Sequence, residues 1–156
     1  MTFVFDSSSL IVLKNYYPGT FRSLWSEFDA LAADGTVFSV REVLNELEQF
    51  GTSDFVKEWA KRNRRFFRSP VGPELLQVQR ILAIPHFQTL IGGRAMLRGT
   101  PVADPFVVAA AMVNDATVVT EEALKPNAAK IPNVCEHFSV PCINLQQFMA
   151  GRSWQF

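Results

Sequence analysis

Cysteine and histidine are both scarce in this sequence, whose 156 residues include two of each. Cys135 and Cys142 form no Cys-x-x-Cys pair, and no histidine-rich segment accompanies them. Metal sites built from sulfur and nitrogen ligands need such groupings, so the pattern does not favour zinc. We interpret both cysteines as reduced thiols of a cytoplasmic protein.

Charge of a single sign and long hydrophobic runs are also missing. Lys and Arg number 15, Asp and Glu also number 15, and together they make up 19% of the chain. This balance excludes a disordered chain, a highly charged coiled coil and a basic nucleic-acid coat protein. The longest apolar run, residues 106–113, is far shorter than the stretch of about 20 residues that a membrane span needs. Since the amino terminus also lacks a signal-peptide pattern, we expect a cytoplasmic protein without a membrane anchor.

Apolar residues, in contrast, are abundant, at 48% of the sequence with 14 phenylalanines. This content supports one sizeable core, and we predict a single domain over residues 1–156. Short apolar runs alternate with segments of helical periodicity, which predicts an α/β fold with a parallel sheet and helices on both faces. The predicted strands are residues 2–5, 36–38, 117–120 and 141–145. The predicted helices are residues 7–13, 21–33, 39–51, 54–65, 73–84, 104–113 and 146–150.

Acidic residues follow nearly every predicted strand, which is unusual in a chain with so few charges. Because the carboxyl ends of parallel strands share one edge of the sheet, we expect these side chains to lie there together. Carboxylates that converge repel one another unless a proton or a cation lies between them. Oxygen ligands alone favour Mg²⁺ or Mn²⁺, ions that support phosphodiester hydrolysis. The acids concerned are Asp6, Glu42, Glu46, Asp104, Glu121 and Glu122.

Each of these acids also has a structural interpretation. Asp6 could cap the first helix, although the serines at positions 7–9 could do so as well. Asp104 is a good N-cap for the helix that follows it, whatever else it does. Glu121 and Glu122 could be exposed acids in a first helical turn. The sequence leaves both interpretations open.

Two of the acids, Glu42 and Glu46, are four residues apart on one predicted helix. With a turn of about 100° per residue, Val43, Leu47 and Phe50 form the buried stripe of this helix. Glu46 then lies at the rim of the core, while Glu42 lies further out. We therefore predict Glu46 as a functional acid and Glu42 as a solvated or outer-shell acid.

The acidic segments resemble, in order along nearly the whole chain, those of the PIN-domain nucleases. Residues 3–11, Phe-Val-Phe-Asp-Ser-Ser-Ser-Leu-Ile, look like the opening strand and helix of that family. Residues 39–47 are similar to its second acidic block, and Ala103-Asp104 before an alanine-rich helix is similar to its third. Residues 118–122, Val-Val-Thr-Glu-Glu, stand where the family usually has Asp at the last position. Trp25, residues 59–61 and residues 131–135 resemble an uncharacterised PIN-like branch of microbial proteins.

The resemblance implies a three-layer α/β/α fold and a metal-dependent ribonuclease. Its implied catalytic and metal-binding acids are Asp6, Glu46, Asp104 and Glu122, with Mg²⁺ or Mn²⁺ as cofactor and metal-activated water as the nucleophile. The outer-shell candidates are Ser8, Glu42, Thr120 and Glu121. VapC-like members of the family are toxins held inactive by a protein antitoxin, which makes an antitoxin the expected partner. Because Glu122 departs from the usual Asp, the alternative is a PIN-like RNA-binding or regulatory module that has lost catalysis.

A basic run lies between the predicted helix at 54–65 and the centre of the chain. It forms a local positive patch suited to phosphate contacts, and aromatic neighbours at positions 59, 66 and 67 could stack on bases. The alternative is a solvated helix face whose apolar side is buried. The residues that we predict to bind nucleic acid are Lys61, Arg62, Arg64, Arg65 and Arg68, and Arg94 and Arg98 are candidates for the same groove.

Two other α/β classes also place an Asp at a strand exit. A phosphoacceptor receiver domain needs a lysine at a late strand end, and residues 141–145 contain none. A haloacid-dehalogenase-type phosphatase needs a second Asp two residues after the first, where this chain has Ser8. Neither class is favoured. The abundance of Phe and Trp is compatible with a homodimer and equally with a large core.

Overall fold

The computed structural model describes residues 1–50, 53–90 and 102–156, and within them five short strands form one parallel sheet. The order across the sheet is β3-β2-β1-β4-β5, with β1 at its centre. The strands are β1 (Phe3–Phe5), β2 (Val37–Val40), β3 (Phe67–Arg68), β4 (Thr117–Val119) and β5 (Cys142–Ile143). The predicted α/β fold with a parallel sheet is confirmed.

The helices of the described residues pack around this sheet. They are α1 (Ser7–Val12), α2 (Arg22–Asp34), α3 (Arg41–Phe50), α4 (Asp54–Arg62), α5 (Gly72–Leu82), α6 (Asp104–Asn114), α7 (Ile131–His137) and α8 (Leu145–Gly151). Short 3₁₀ turns cover Leu13–Asn15, Arg64–Phe66 and Pro85–Leu90. No helix in the described part of the chain is long and apolar enough to cross a membrane.

Helices lie on both faces of the sheet because the central strand is apolar throughout. All three residues of β1 are buried, as expected for a central parallel strand. The ring of Phe5 packs 5.4 Å from Phe28 of α2 and 5.1 Å from Phe148 of α8, which places these two helices on one face. Helix α6 contacts β1, β2 and β4, packs against α5, and has all of Val107, Val108, Ala109, Ala110 and Ala111 buried.

The register of the sheet brings three chain segments to one edge. Phe5 pairs with Val119, and Val4 pairs with Phe38, so β1, β2 and β4 end close together. Asp6, Arg41 and Thr120 follow these strands. We call this side of the sheet the carboxyl edge and the opposite side, where the strands begin, the amino edge.

Three predictions about the elements were wrong. Ser39 does not start a helix, because its buried hydroxyl donates to the carbonyl of Phe5 (2.6 Å) within the sheet, and β2 continues to Val40. Strand β3 was not predicted, since two residues carry no detectable periodicity. Helix α7 was also missed. Its first N–H, that of Ile131, donates to Glu122 Oε2 (2.9 Å) nine residues earlier, so no local capping residue marks its start.

Candidate active site

Asp6 lies directly after β1 and is 3% exposed. Its Oδ2 accepts hydrogen bonds from the hydroxyls of Ser8 (2.7 Å) and Thr120 (3.0 Å), and its Oδ1 accepts a longer one from Ser7 (3.4 Å). Asp6 occupies the N-cap position of α1, yet its side chain makes no capping hydrogen bond. The carboxylate is therefore held by hydroxyls at the exits of β1 and β4, and it does not cap the helix.

Thr120 and Ser8 are themselves fixed by the chain that follows β4. Thr120 is 1% exposed and accepts from the N–H of Glu122 (3.2 Å), while Ser8 Oγ accepts from the N–H of Glu121 (2.9 Å). Each hydroxyl thus donates a hydrogen bond to Asp6 and accepts one from a backbone N–H. This arrangement fixes the orientation of the Asp6 carboxylate.

Glu46 comes to the same edge from α3 and is half-buried. Its Oε2 accepts from Ser7 Oγ (2.7 Å), and its Oε1 accepts from the N–H of Ala103 (3.2 Å), the residue before α6. Burial raises the pKa of Glu46, and the charges of Asp6 and Glu122 act in the same direction, whereas the two hydrogen bonds oppose them. Glu46 therefore links α1, α3 and the start of α6, as expected for an acid at the rim of the core.

Asp104 is the first residue of α6. The N-cap position belongs to Ala103, so Asp104 is not the cap of this helix. The pKa of Asp104 is raised to about 8, and burial is the largest cause. The charges of Asp6, Glu122 and Glu46 act in the same direction, and the charge of Lys130 opposes them weakly. Among the described residues, none donates a hydrogen bond to its carboxylate or forms an ion pair with it. Counting only partners in the described ranges, Asp104 is the least compensated of the four acids.

Glu122 has both a structural and an electrostatic part in this group. Its Oε2 accepts from the N–H of Ile131, which anchors the start of α7. Its charge also contributes to the raised pKa of both Asp104 and Glu46. The structure thus brings together all four acids that the sequence singled out, Asp6, Glu46, Asp104 and Glu122.

Glu121 and Glu42 lie apart from this group. Glu121 Oε1 accepts from the N–H of Leu145 (2.8 Å) and from Ser9 Oγ (3.4 Å), so its carboxylate holds the start of α8. Glu42 is 1% exposed, and the prediction of a solvated Glu42 was wrong. Its Oε1 accepts from Arg41 Nη2 (3.2 Å), and its buried Oε2 has no partner among the described residues.

The burial of Glu42 has a topological cause. Helix α3 begins only at Arg41 and contacts α1, α4, β2 and β3, so its buried face is wider than a single apolar stripe. Glu42, Val43 and Leu44 are all buried in succession. Periodicity along one helix cannot show that neighbours cover it on several sides.

The basic residues lie away from the acids. Arg62 ends α4, and Arg64 and Arg65 precede β3. All three border a cavity with Ala32 and Ala33, near the end of the helix that leads into β2 at the amino edge. The Arg68 guanidinium stacks 3.7 Å from the ring centre of Phe38, and Lys61 pairs with Glu58 (3.4 Å). Arg94 and Arg98 lie outside the described residues.

The aromatic residues beside the basic run do not serve as a stacking surface. Trp59, Phe66 and Phe67 are 4%, 3% and 7% exposed. They pack on one another, with Trp59 and Phe66 rings 5.1 Å apart, and Trp59 Nε1 donates to Asp29 (2.7 Å). The expectation that they stack on bases was wrong, because these rings belong to the core.

A cavity of about 430 Å³ lies beside the acids at the exits of β4 and β5. Thr120, Glu121 and Glu122 form one wall, and the free thiols of Cys135 and Cys142 lie on another. The hydrogen bond between the two thiols raises the pKa of Cys135, and burial acts in the same direction. The cysteines thus lie next to the acidic group, a placement that their sequence spacing does not show.

No three Asp, Glu, His or Cys side chains in the described ranges are arranged to hold a metal ion between them. The acids and the hydroxyls that contact them are nevertheless all oxygen donors: four carboxylates and the hydroxyls of Ser7, Ser8 and Thr120. The thiols of Cys135 and Cys142 lie beside them in the adjacent cavity. Sequence reasoning missed Ser7, which contacts Glu46 and Asp6, and Lys130, whose charge acts on Asp104. The sequence feature that could have identified Ser7 is its position next to Asp6, directly after the first predicted strand.

Comparison with known proteins gives a family and a related fold. The family described as "Domain of unknown function (DUF4411)" matches residues 3–156. No curated protein matches the chain. Among solved structures, the crystal structure of PAE2754 from Pyrobaculum aerophilum matches with a TM-score of 0.53 and 13% sequence identity, over 99% of this chain and 97% of that one. At that identity the likeness concerns the fold alone.

Proposed function

This chain belongs to the DUF4411 family, and we propose that it is a metal-dependent ribonuclease whose active site is the acidic group at the carboxyl edge. The proposal depends on one observation. Asp6, Glu46, Asp104 and Glu122 act on one another electrostatically, and no basic residue of the described ranges forms an ion pair with any of them.

Such a group favours a divalent cation on physical grounds. Four neighbouring carboxylates cannot all ionise without repulsion. Burial and, after it, the charges of Asp6, Glu122 and Glu46 raise the pKa of Asp104 to about 8. A bound cation removes the conflict and keeps every acid ionised. With oxygen donors alone, the cation that fits is hard, and Mg²⁺ or Mn²⁺ suits it.

Asp6 and Asp104 are the residues that would hold the ion directly. Mg²⁺ is usually bound through one or two carboxylates and keeps several waters, so a group of three protein ligands is not required. The carboxylates of Glu46 and Glu122 already accept backbone N–H groups and suit hydrogen bonds to metal-bound water. When bound, the ion lowers the pKa of a water and neutralises charge on the phosphodiester.

The other parts of the site orient these acids. Ser8 and Thr120 fix the Asp6 carboxylate, and Ser7 fixes Glu46. The resemblance of the four acidic segments to those of the PIN-domain nucleases supports RNA as the substrate. By the same resemblance we propose a cytoplasmic toxin held inactive by a protein antitoxin, although one fold hosts many functions.

A second candidate function is an RNA-binding or regulatory module without catalysis. Two observations favour it: Glu122 anchors α7 through Ile131, and no three ligands of the described residues already face one ion. Such a module would bind RNA and leave it intact.

The experiment is cleavage of single-stranded RNA of mixed sequence by the pure protein, with Mn²⁺ or with EDTA. We expect cleavage with Mn²⁺ only, and its loss in Asp104→Asn. Asp54→Asn, which changes an exposed acid at the start of α4, is the matched control and should retain full activity. RNA that stays intact in the presence of protein-bound Mn²⁺ would support the module.

A further inference from the structure

A second cavity, of about 460 Å³, lies at the amino edge of the sheet. Its floor is formed by Ala32 and Ala33, near the end of α2, and its walls by Arg62, Asn63, Arg64 and Arg65. Helix α2 ends shortly before β2 begins, so the cavity lies near the amino edge, and none of the four acids of the carboxyl edge lines it. We call this space the arginine cavity.

The three arginines of this cavity are exposed and free of partners within the described residues. Three other basic side chains have partners: Arg41 pairs with Glu42, Lys61 pairs with Glu58, and Arg68 stacks on Phe38. Arg62, Arg64 and Arg65 make neither an ion pair nor a side-chain hydrogen bond to any residue that the structure describes. The lining of this cavity holds three guanidinium groups and no carboxylate, although Arg62 also borders a neighbouring cavity with Asp29 and Glu58. The arginine cavity therefore favours an anion.

The helix ends nearby do not remove this charge. The carboxyl ends of α2 and α4 carry partial negative charge, which favours a cation there by a modest amount. Asp34 is the acid closest in sequence to Ala32 and Ala33. Its carboxylate accepts a hydrogen bond from the N–H of Thr36 (2.8 Å), and the charge of Arg152 stabilises its ionised form. The guanidinium donors of the cavity are thus left for a ligand.

We propose that the arginine cavity binds the ribose–phosphate backbone of single-stranded RNA, at a site separate from the acidic group. The planar fork of Arg matches phosphate oxygens in a bidentate manner. Asn63 Nδ2 donates to the carbonyl of Trp59 (2.8 Å), which leaves its amide oxygen as an acceptor for a ribose hydroxyl. RNA supplies both the anionic phosphate oxygens and the hydroxyl donors that this mixture of guanidinium donors and an amide acceptor accommodates.

This inference rests on the proposed function only in taking RNA as the ligand. An RNA that occupies both sites must pass along one side of the sheet. The arginine cavity would therefore hold the RNA at a distance from the cut.

The test measures RNA binding in EDTA, where the result does not depend on cleavage. The probe is a fluorescein-labelled single-stranded RNA of about 12 nucleotides, titrated at about 50 and 200 mM salt. The triple variant Arg62→Ala, Arg64→Ala, Arg65→Ala should bind at least about tenfold more weakly at low salt. Its slope of log affinity against log salt should be smaller by about 2, or 0.7 for each lost phosphate contact.

The matched control removes the same number of charges elsewhere: Arg22→Ala, Arg80→Ala, Arg152→Ala, all exposed. It should retain the wild-type slope. An unchanged slope in the cavity variant, or equal losses in the two variants, would overturn the proposal. So would a polyglutamate peptide that binds through the same three arginines while RNA does not, since that result assigns the cavity to an acidic protein.

If the triple variant does not fold, Arg64→Ala alone should reduce the slope by about 0.7. RNA cleavage that fails while this slope changes as expected would count against the proposed function alone.

Discussion

Ser7 joins the carboxylates of Asp6, its neighbour in the chain, and Glu46, 39 residues further on: its Oγ lies 2.7 Å from Glu46 Oε2 and 3.4 Å from Asp6 Oδ1. A hydroxyl has one proton, so Ser7 donates to only one of them at a time, and the shorter distance assigns it to Glu46. The first residue of α1 thereby fixes the position of α3 at the carboxyl edge.

Ser7→Ala should raise the pKa of Glu46 further. The Ser7 hydrogen bond stabilises the ionised carboxylate and opposes the effect of burial. The carboxyl carbon of Glu46, followed by NMR during a pH titration, should show a higher midpoint than in the wild type. Stability should fall by about 1 kcal/mol. The exposed Ser23→Ala on α2 is the control, and an identical Glu46 midpoint in both variants would contradict the role of Ser7.

Thr120→Val should destabilise the protein by about 1–3 kcal/mol, because it removes one of the two hydrogen bonds to Asp6 Oδ2 and leaves the N–H of Glu122 without its partner. Urea denaturation measures this cost. Thr117→Val at the start of β4 makes the same chemical change at a partly exposed position and should cost less. Equal costs at the two positions would show that the hydroxyl of Thr120 does not orient Asp6.

Stability in EDTA should fall as the pH rises from about 4 to about 8. In this window the folded state retains a proton on Asp104, whose pKa is raised from 3.8 to about 8, while the unfolded chain has lost it. The folded state then binds more protons than the unfolded state, so the free energy of unfolding decreases with pH. The raised pKa of Glu46 acts in the same direction.

Asp104→Asn tests this pH dependence, since it removes the titrating group. Urea midpoints measured across the same pH range should decline less steeply in Asp104→Asn than in the wild type. Asp54→Asn should retain the wild-type decline. A wild-type stability that rises over this range would show that the acids do not compete for charge.

Glu42→Met should leave stability unchanged or raise it. The Glu42 side chain is buried, one oxygen has no partner among the described residues, and Arg41 remains solvated without it. Replacing such a charge with an apolar side chain of similar volume removes a desolvation cost. The thermal midpoint measures the effect. Loss of the Mn²⁺ response in Glu42→Met would place this residue in the metal site, contrary to our assignment.

The sequence was sufficient to place three acids near one another where a local pattern fixes each of them. Asp6 needed only the end of an apolar run, Asp104 only the start of a helix, and Glu46 only helical periodicity. Glu42 could not be placed in this way, because its burial depends on α1, α4 and β3, which are distant in sequence. The separation of Arg62, Arg64 and Arg65 from the acids was equally hidden, since it follows from the direction of β3, a strand of two residues.

Titration of the metal-free protein with Mn²⁺, with free Mn²⁺ followed by electron paramagnetic resonance, tests the metal site most directly. We expect saturable binding to the wild type and to Asp54→Asn, and binding weakened at least about tenfold, or about 1.4 kcal/mol, in both Asp6→Asn and Asp104→Asn. Equal affinity in the wild type and the two site variants would contradict the central claim that the acids at the carboxyl edge hold the ion.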